Sequence, residues 1–360
     1  MKRTWETLVS TLVAMCAAFA VDAQKAANPP LRLIQSIPLP GIDGDFDHFT
    51  VGLQGNRLFS AAEGHGTVEV FDMGTNEHIR TIGQGLIKEP HSLLFREDLN
   101  RLYVVDGTLT IGAVRIFDGK DYSLIKSIDL APFADWSVYD PATKFLYVNG
   151  NGIFVNKAYS TVSVIDTTSG EVLGQIKVDD NVITGFALDP SSPNIYTGMR
   201  NKKLVAVIDR KTLKVVATWP ITIGEGSNFG FMGLDHANHR LFVNTANHRV
   251  TTDPSPGVKY QKTVVFDTRT GKELLTIPIN EHTDHLQYDA GTKRLFVVAA
   301  VPPSVEVFQQ SDPDHYKPIG EVTTEPKARV GLYVPERHRF YVAVPRYEER
   351  VAHILVYQVD

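Results

Sequence analysis

Hydrophobic residues in this chain fall in short alternating runs, and the runs recur. The sharpest is an apolar residue, an aromatic residue and usually a valine, as in Leu102-Tyr103-Val104. Its copies begin at Leu58, Leu102, Leu146, Ile195, Leu241, Leu295 and Phe340, a repeat of roughly 45 residues, the length of a propeller blade. A second alternating run follows each, often ending in aspartate: residues 68–72, 114–118, 162–166, 205–209 and 263–267, with weaker copies at 305–309 and 354–358. Each unit also carries a run before the aromatic anchor, ending at a turn such as Asp140-Pro141 or Asp189-Pro190. A fourth run follows the aspartate turn, as at 171–178 and 214–221. Period-two alternation, β-branched and aromatic enrichment and Gly/Asp/Pro punctuation predict strands, and no long 3.6-residue apolar period competes with them. Four strands per unit and seven units predict an all-β chain, a seven-bladed β-propeller of four-stranded antiparallel blades.

The two ends of the repeat complete each other. The seventh unit stops after its third strand at Asp360, and residues 31–39 have the character of an orphan fourth strand. Pairing that N-terminal strand into the last blade would close the ring and cover a sheet edge open to aggregation. A single domain over 31–360 follows, with a short linker at 24–30. Residues 1–23 read as a secretory signal peptide: Lys2 and Arg3, an apolar core over 8–20, then small residues at Ala18, Ala20 and Ala23. Two blades carry insertions, 151–160 in the third and 247–261 in the fifth. Long loops on a rigid scaffold are favoured places for function, and also for inconsequential decoration.

Composition removes several function classes. The one cysteine, Cys16, lies in the expected signal peptide, so a mature chain would have no disulfide, zinc-cysteine site, cysteine nucleophile or covalent haem attachment. A net charge of −5 without a Lys/Arg run argues against nucleic acid as a partner. No later segment has transmembrane length. There is no Gly-x-Ser-x-Gly elbow, His-Glu-x-x-His pair, phosphate loop or dinucleotide fingerprint.

Leu146-Tyr147-Val148-Asn149, Leu241-Phe242-Val243-Asn244 and the run 162–167 resemble the YVTN-repeat propellers, a group that includes the bacterial YncE-like proteins. The resemblance spans 31–360. It implies the propeller fold. It carries no functional motif onto particular residues, because similar propellers serve as binding proteins, lactonases, lyases and electron-transfer subunits.

The candidate chemistry comes from repeat position. Eleven residues before each anchor stand Asp47, His91, Asp135, Thr184, Gly230, Asp284 and Arg329. One position later stand His48, Ser92, Trp136, Gly185, Phe231, His285 and Val330. Equivalent residues of tandem blades form a ring about the propeller axis. Asp47, His48, His91, Asp135, Asp284, His285 and Arg329 are therefore expected around one mouth of the central channel. Such a ring can hold one divalent cation (Ca²⁺, Mg²⁺ or Zn²⁺), work as acid and base with Arg329 binding an anion, or line a solvated channel. Asp43, Asp45 and Asp47 resemble the start of a calcium loop but lack its turn Gly and closing Glu. His236, His239 and His248 are expected in solvent. The sequence thus points to a periplasmic or secreted, monomeric propeller that binds a small molecule or protein on one face. The alternative is a lactonase- or lyase-like enzyme, with or without a metal, at the channel mouth.

Overall fold

The computed structural model describes residues 29–222, 228–246 and 261–360. The expected signal peptide, residues 24–28 of the linker, His248 and the insertion up to residue 260 lie outside them. The described strands form seven four-stranded antiparallel sheets. The innermost strands of blades 1 to 7 are Phe49–Gly52, Pro90–Arg96, Ala134–Asp140, Ile183–Leu188, Asn228–Asp235, Glu281–Asp289 and Val330–Val334. Each lies against the next, and the seventh lies against the first, so the blades close into a ring. The helical pieces among the described residues are three short 3₁₀ turns, Glu63–His65, Gly152–Val155 and Pro335–Arg337. No helix among them is long and apolar enough to cross a membrane.

The repeated anchor is the second strand of each blade, and both its faces are buried. The aromatic members Phe59, Tyr103, Tyr147, Tyr196, Phe242, Phe296 and Tyr341 are buried, as are the leading residues from Leu58 to Phe340. Every blade is sandwiched between two others, so consecutive side chains on opposite faces both meet protein. The aspartate ending the third strand has a local task. In Asp72, Asp118, Asp166, Asp209 and Asp267 one carboxylate oxygen accepts a backbone N–H two residues on, which tightens the turn into the outer strand.

Polar side chains clamp blade to blade. Arg57 of blade 1 donates to the Asn100 side chain at 3.1 Å, and Arg96 of blade 2 to Thr167 Oγ1 at 2.6 Å. Arg210 of blade 4 pairs with Asp140 of blade 3 at 2.5 Å, and Gln310 of blade 6 donates to Asp235 of blade 5 at 2.9 Å. The ring closes as the sequence predicts: Leu31–Leu39 runs antiparallel to Ala352–Val359 as the outer strand of blade 7.

Candidate functional site at the channel mouth

Antiparallel pairing decides which loops share the mouth. The start of each innermost strand lies beside the end of the second, as in Pro90 against Asp106, Ala134 against Gly150 and Ile183 against Met199. The hairpins joining second and third strands therefore open on the same mouth as the repeat positions singled out above. At those positions the innermost strands of blades 2 to 6 carry a β-bulge. In blade 1 Ala61 bonds both Asp47 and His48: the Asp47 N–H donates to its carbonyl, and its own N–H donates to the His48 carbonyl. Two residues opposing one break the strict in-out alternation, so neighbouring side chains can both serve the channel. In blade 4 the bulge residue is Gly185, at φ 63°, a conformation glycine adopts without steric cost.

Asp47, His91 and Asp135, from blades 1 to 3, meet. His91 Nδ1 lies 3.0 Å from Asp47 Oδ2 and 3.8 Å from Asp135 Oδ1. Its Nε2 lies 2.9 Å from the carbonyl oxygen of Gly107. A carbonyl and a carboxylate can only accept, so the ring donates from both nitrogens and is an imidazolium. Arg329 organises a second group: Nε is 3.0 Å from Asp284 Oδ2, and the guanidinium is 3.7 Å from both Asp45 and Glu63. Glu63 joins the two groups, since one of its oxygens lies within 4.8 Å of donor atoms of Asp47 and His91.

One layer down, the next repeat position supplies rings. His48 stands edge-on to Trp136 at 4.9 Å and 4.7 Å from Phe231, and Phe231 lies 4.4 Å from Trp136 and 5.0 Å from His285. His48 Nδ1 comes within 2.5 Å of Asp47 Oδ1, a charge contact without hydrogen-bond alignment. His285 does not join the charged groups. It is buried beside Phe231 and Phe340, and its Nε2 has no hydrogen-bond partner among the described residues. The blade 3 insertion roofs one side: Phe154 stacks on Phe133 at 4.2 Å, and Phe133 lies 5.8 Å from His91.

Burial and charge compete here, with different winners. Burial opposes the charge on Asp47, but His48 and His91 outweigh it and hold the carboxyl well below the usual carboxylate range. Burial also opposes charging His91, yet the hydrogen bond to Asp47 and the charges of Asp135, Asp47 and Glu63 push it up to about 10. His48 is raised on the same balance, with burial offset mainly by Asp47. Asp135 goes up to about 6 and Glu63 to about 7, each through burial reinforced by Asp47. Burial raises Asp284 against the pull of Arg329. Burial and His48 push His285 down to about 3, so it is neutral at pH 7.

A stability test follows from Asp135. Its carboxyl keeps its proton up to about pH 6 when folded, against 3.8 ordinarily. The stability this gives is fully present below pH 3.8 and is lost as pH rises through 6. In chelator-containing buffer Asp135→Asn is expected to exceed the unaltered chain in stability at pH 8, by about 1–3 kcal/mol, and the gap should close below pH 4. Urea denaturation at the two pH values measures it, and a less stable variant at pH 8 contradicts it.

Two features of this site carried no repeat signal. Glu63 sits in the hairpin turn between second and third strands. Its turn is pressed against the 43–45 segment so closely that a Cβ on Gly64 would lie 2.7 Å from the Gly44 Cα. Phe154 lies in an insertion whose path only packing sets. The signals that could have found them are the insertion 151–160 for Phe154 and, for Glu63, topology: the hairpins between second and third strands share the mouth with the repeat positions. The three aspartates of the 43–47 segment reach separate partners, Asp43 to Arg346, Asp45 to Arg329 and Asp47 to His91, so they do not form one cation loop. His236 is exposed and His239 lies in a turn, both away from the mouth.

No family model matches the chain, and no curated protein matches it in sequence. Solved structures do. A chain of Kuenenia stuttgartiensis hydrazine synthase superposes with a TM-score of 0.69 at 17% identity, covering 89% of this chain and 99% of its own. A chain from the crystal structure of a mitotic checkpoint complex superposes with a TM-score of 0.69 at 13% identity, covering 99% of both chains. At such identities the likeness is one of fold: this chain is a seven-bladed β-propeller.

Proposed function

We propose that this chain is a periplasmic or secreted propeller of the YVTN-repeat, YncE-like kind that acts as a monomer and binds a small molecule at this mouth. The reading rests on one observation above all: two linked charged groups stand over a floor of His48, Trp136, Phe231 and His285, and the floor contains a buried, unpartnered Nε2. An unsatisfied buried polar atom costs about 1–3 kcal/mol, which a ligand hydrogen bond would recover. The chemistry suits a small molecule with a flat apolar part, one hydrogen-bonding atom for His285 and a polar end for the rim. The charged N-terminus and apolar core of residues 1–23 support export. A thermal-shift screen of small aromatic acids, amines and lactones on the chain without residues 1–23 tests the site. Ligands that raise the midpoint should lose that effect in Trp136→Ala and His285→Ala. Hits that persist in both variants, or no hits, would overturn the assignment.

The His91–Asp135 contact favours a second reading, a lactonase- or lyase-like enzyme. A carboxyl beside an imidazolium at an open mouth can move a proton to or from a bound substrate. Turnover of a lactone panel that Asp135→Asn abolishes would select this reading over simple binding.

A further inference from the structure

We propose that the mouth holds one first-row divalent cation, Zn²⁺, Mn²⁺ or Fe²⁺, ligated by Asp47, Glu63 and His91 Nδ1. The inference deepens the reading of the mouth as a ligand site and rests on it. One donor atom from each residue lies within 4.8 Å of the others. Donors bound at about 2.0–2.2 Å from one ion stand roughly 3–3.6 Å apart, so modest side-chain rotation would bring all three into contact. His91 Nδ1 and Asp47 Oδ2, 3.0 Å apart, already have that spacing.

The His91 ring separates this cluster from carboxylates that merely gather at a surface. Its Nε2–H is committed to the Gly107 carbonyl at 2.9 Å, which leaves Nδ1 facing Asp47 and Asp135. Histidines that ligate metals keep this arrangement, with the second nitrogen donating to a carbonyl or carboxylate that fixes the tautomer. The side chain is only 5% exposed, so the ring has little freedom to turn away. In binding, the Nδ1 proton leaves to solvent and the cation takes the place between Nδ1 and Asp47.

The backbone under each donor is also fixed. Asp47 and His91 occupy the same repeat position on adjacent blades. Glu63 rides on the 3₁₀ turn Glu63–His65, locked by the close passage of Gly64 over Gly44. Donors on rigid elements do not have to be ordered when the ion arrives.

The donor set selects the ion. One imidazole with two carboxylates suits Zn²⁺, Mn²⁺ or Fe²⁺, whereas Ca²⁺ takes six to eight oxygens and Mg²⁺ keeps most of its water. Three protein ligands leave coordination positions open, as catalytic and ligand-binding sites do. Asp135, 3.8 Å from Nδ1, is placed to accept a hydrogen bond from water on the ion, and Arg329 at 3.7 Å steadies Glu63.

Calorimetric titration of the untagged, chelator-stripped chain with ZnCl₂, MnCl₂ and CaCl₂ tests the proposal. One Zn²⁺ or Mn²⁺ per chain should bind at least tenfold more tightly than Ca²⁺. Glu63→Gln and His91→Gln should each weaken that binding at least tenfold, with circular dichroism confirming their fold. Asp312→Asn removes an exposed His–Asp pair with His315 and controls for surface sites; it should change nothing. No stoichiometric binding, a preference for Ca²⁺, affinity unchanged in the two mouth variants, or loss in Asp312→Asn would overturn the proposal. Repeating the small-molecule screen in chelator separates the two ideas. Ligands that bind without any cation, in a chain that takes up none, sink the metal site and leave the mouth as a ligand site. Loss of both sinks both.

Discussion

A chain that begins after Leu39 is expected to lose its cooperative unfolding transition or to aggregate. Leu31–Leu39 is the fourth strand of blade 7 but comes from the opposite end of the sequence. Its buried side chains face two ways. Ile37 and Leu39 pack with Phe49, Leu58 and Phe71 of blade 1, and Leu31 packs with Phe296 and Val307 of blade 6. Fully burying three such residues contributes about 4.5–9 kcal/mol at 1.5–3 kcal/mol each. Whole domains are stable by only about 5–15 kcal/mol. Removal also bares the edge of Ala352–Val359, a template for pairing with other chains. Light scattering and thermal unfolding of the truncated chain against one that retains 31–39 would show the loss. The double variant Ile37→Asp/Leu39→Asp tests packing while leaving the backbone in place, and should also fall steeply. A truncated chain with an unchanged midpoint would contradict the role of this strand in closure.

Arg210→Ala is expected to cost about 3–5 kcal/mol, the cost of breaking a buried pair by removing one partner. Asp140 is almost fully buried, and Arg210 reaches it across the blade 3–blade 4 boundary at 2.5 Å while donating to the Asp189 carbonyl at 2.9 Å. Burial opposes the charge on Asp140, but hydrogen bonds from Thr143, Ala142 and Arg210 hold the carboxyl below its ordinary value. Without the guanidinium, the charge keeps only its bonds from Thr143 and the Ala142 N–H. Guanidinium denaturation should show a lower midpoint with an unchanged slope. A shift under about 1 kcal/mol would place Arg210 with ordinary surface pairs.

The charged residues at the mouth were only partly legible in the chain. Asp47, His91 and Asp135 share a repeat position, and rotation about the propeller axis brings them together. Glu63 shares no such position, and the contact that carries it to His91 depends on how two glycine-containing loops pass each other. His285 shows the limit of the repeat argument from the other side. It repeats the Asp-His pair of blade 1, yet in blade 6 the imidazole lies against Phe231 and Phe340 rather than near a carboxylate.

The number of blades, the four strands in each and the closing strand can be read from the order of residues, because they depend on alternation and punctuation repeated seven times. A pattern read in seven copies outweighs local ambiguity in any one. The protonation and pairing of the mouth were decided by tertiary structure alone. They depend on distances of a few ångströms between residues of different blades, on which carboxylates lose water, and on the Gly107 carbonyl that fixes His91. None of these is a property of one repeat: Coulomb and desolvation energies change steeply over such distances, while the hydrophobic pattern that folds the blades is indifferent to them.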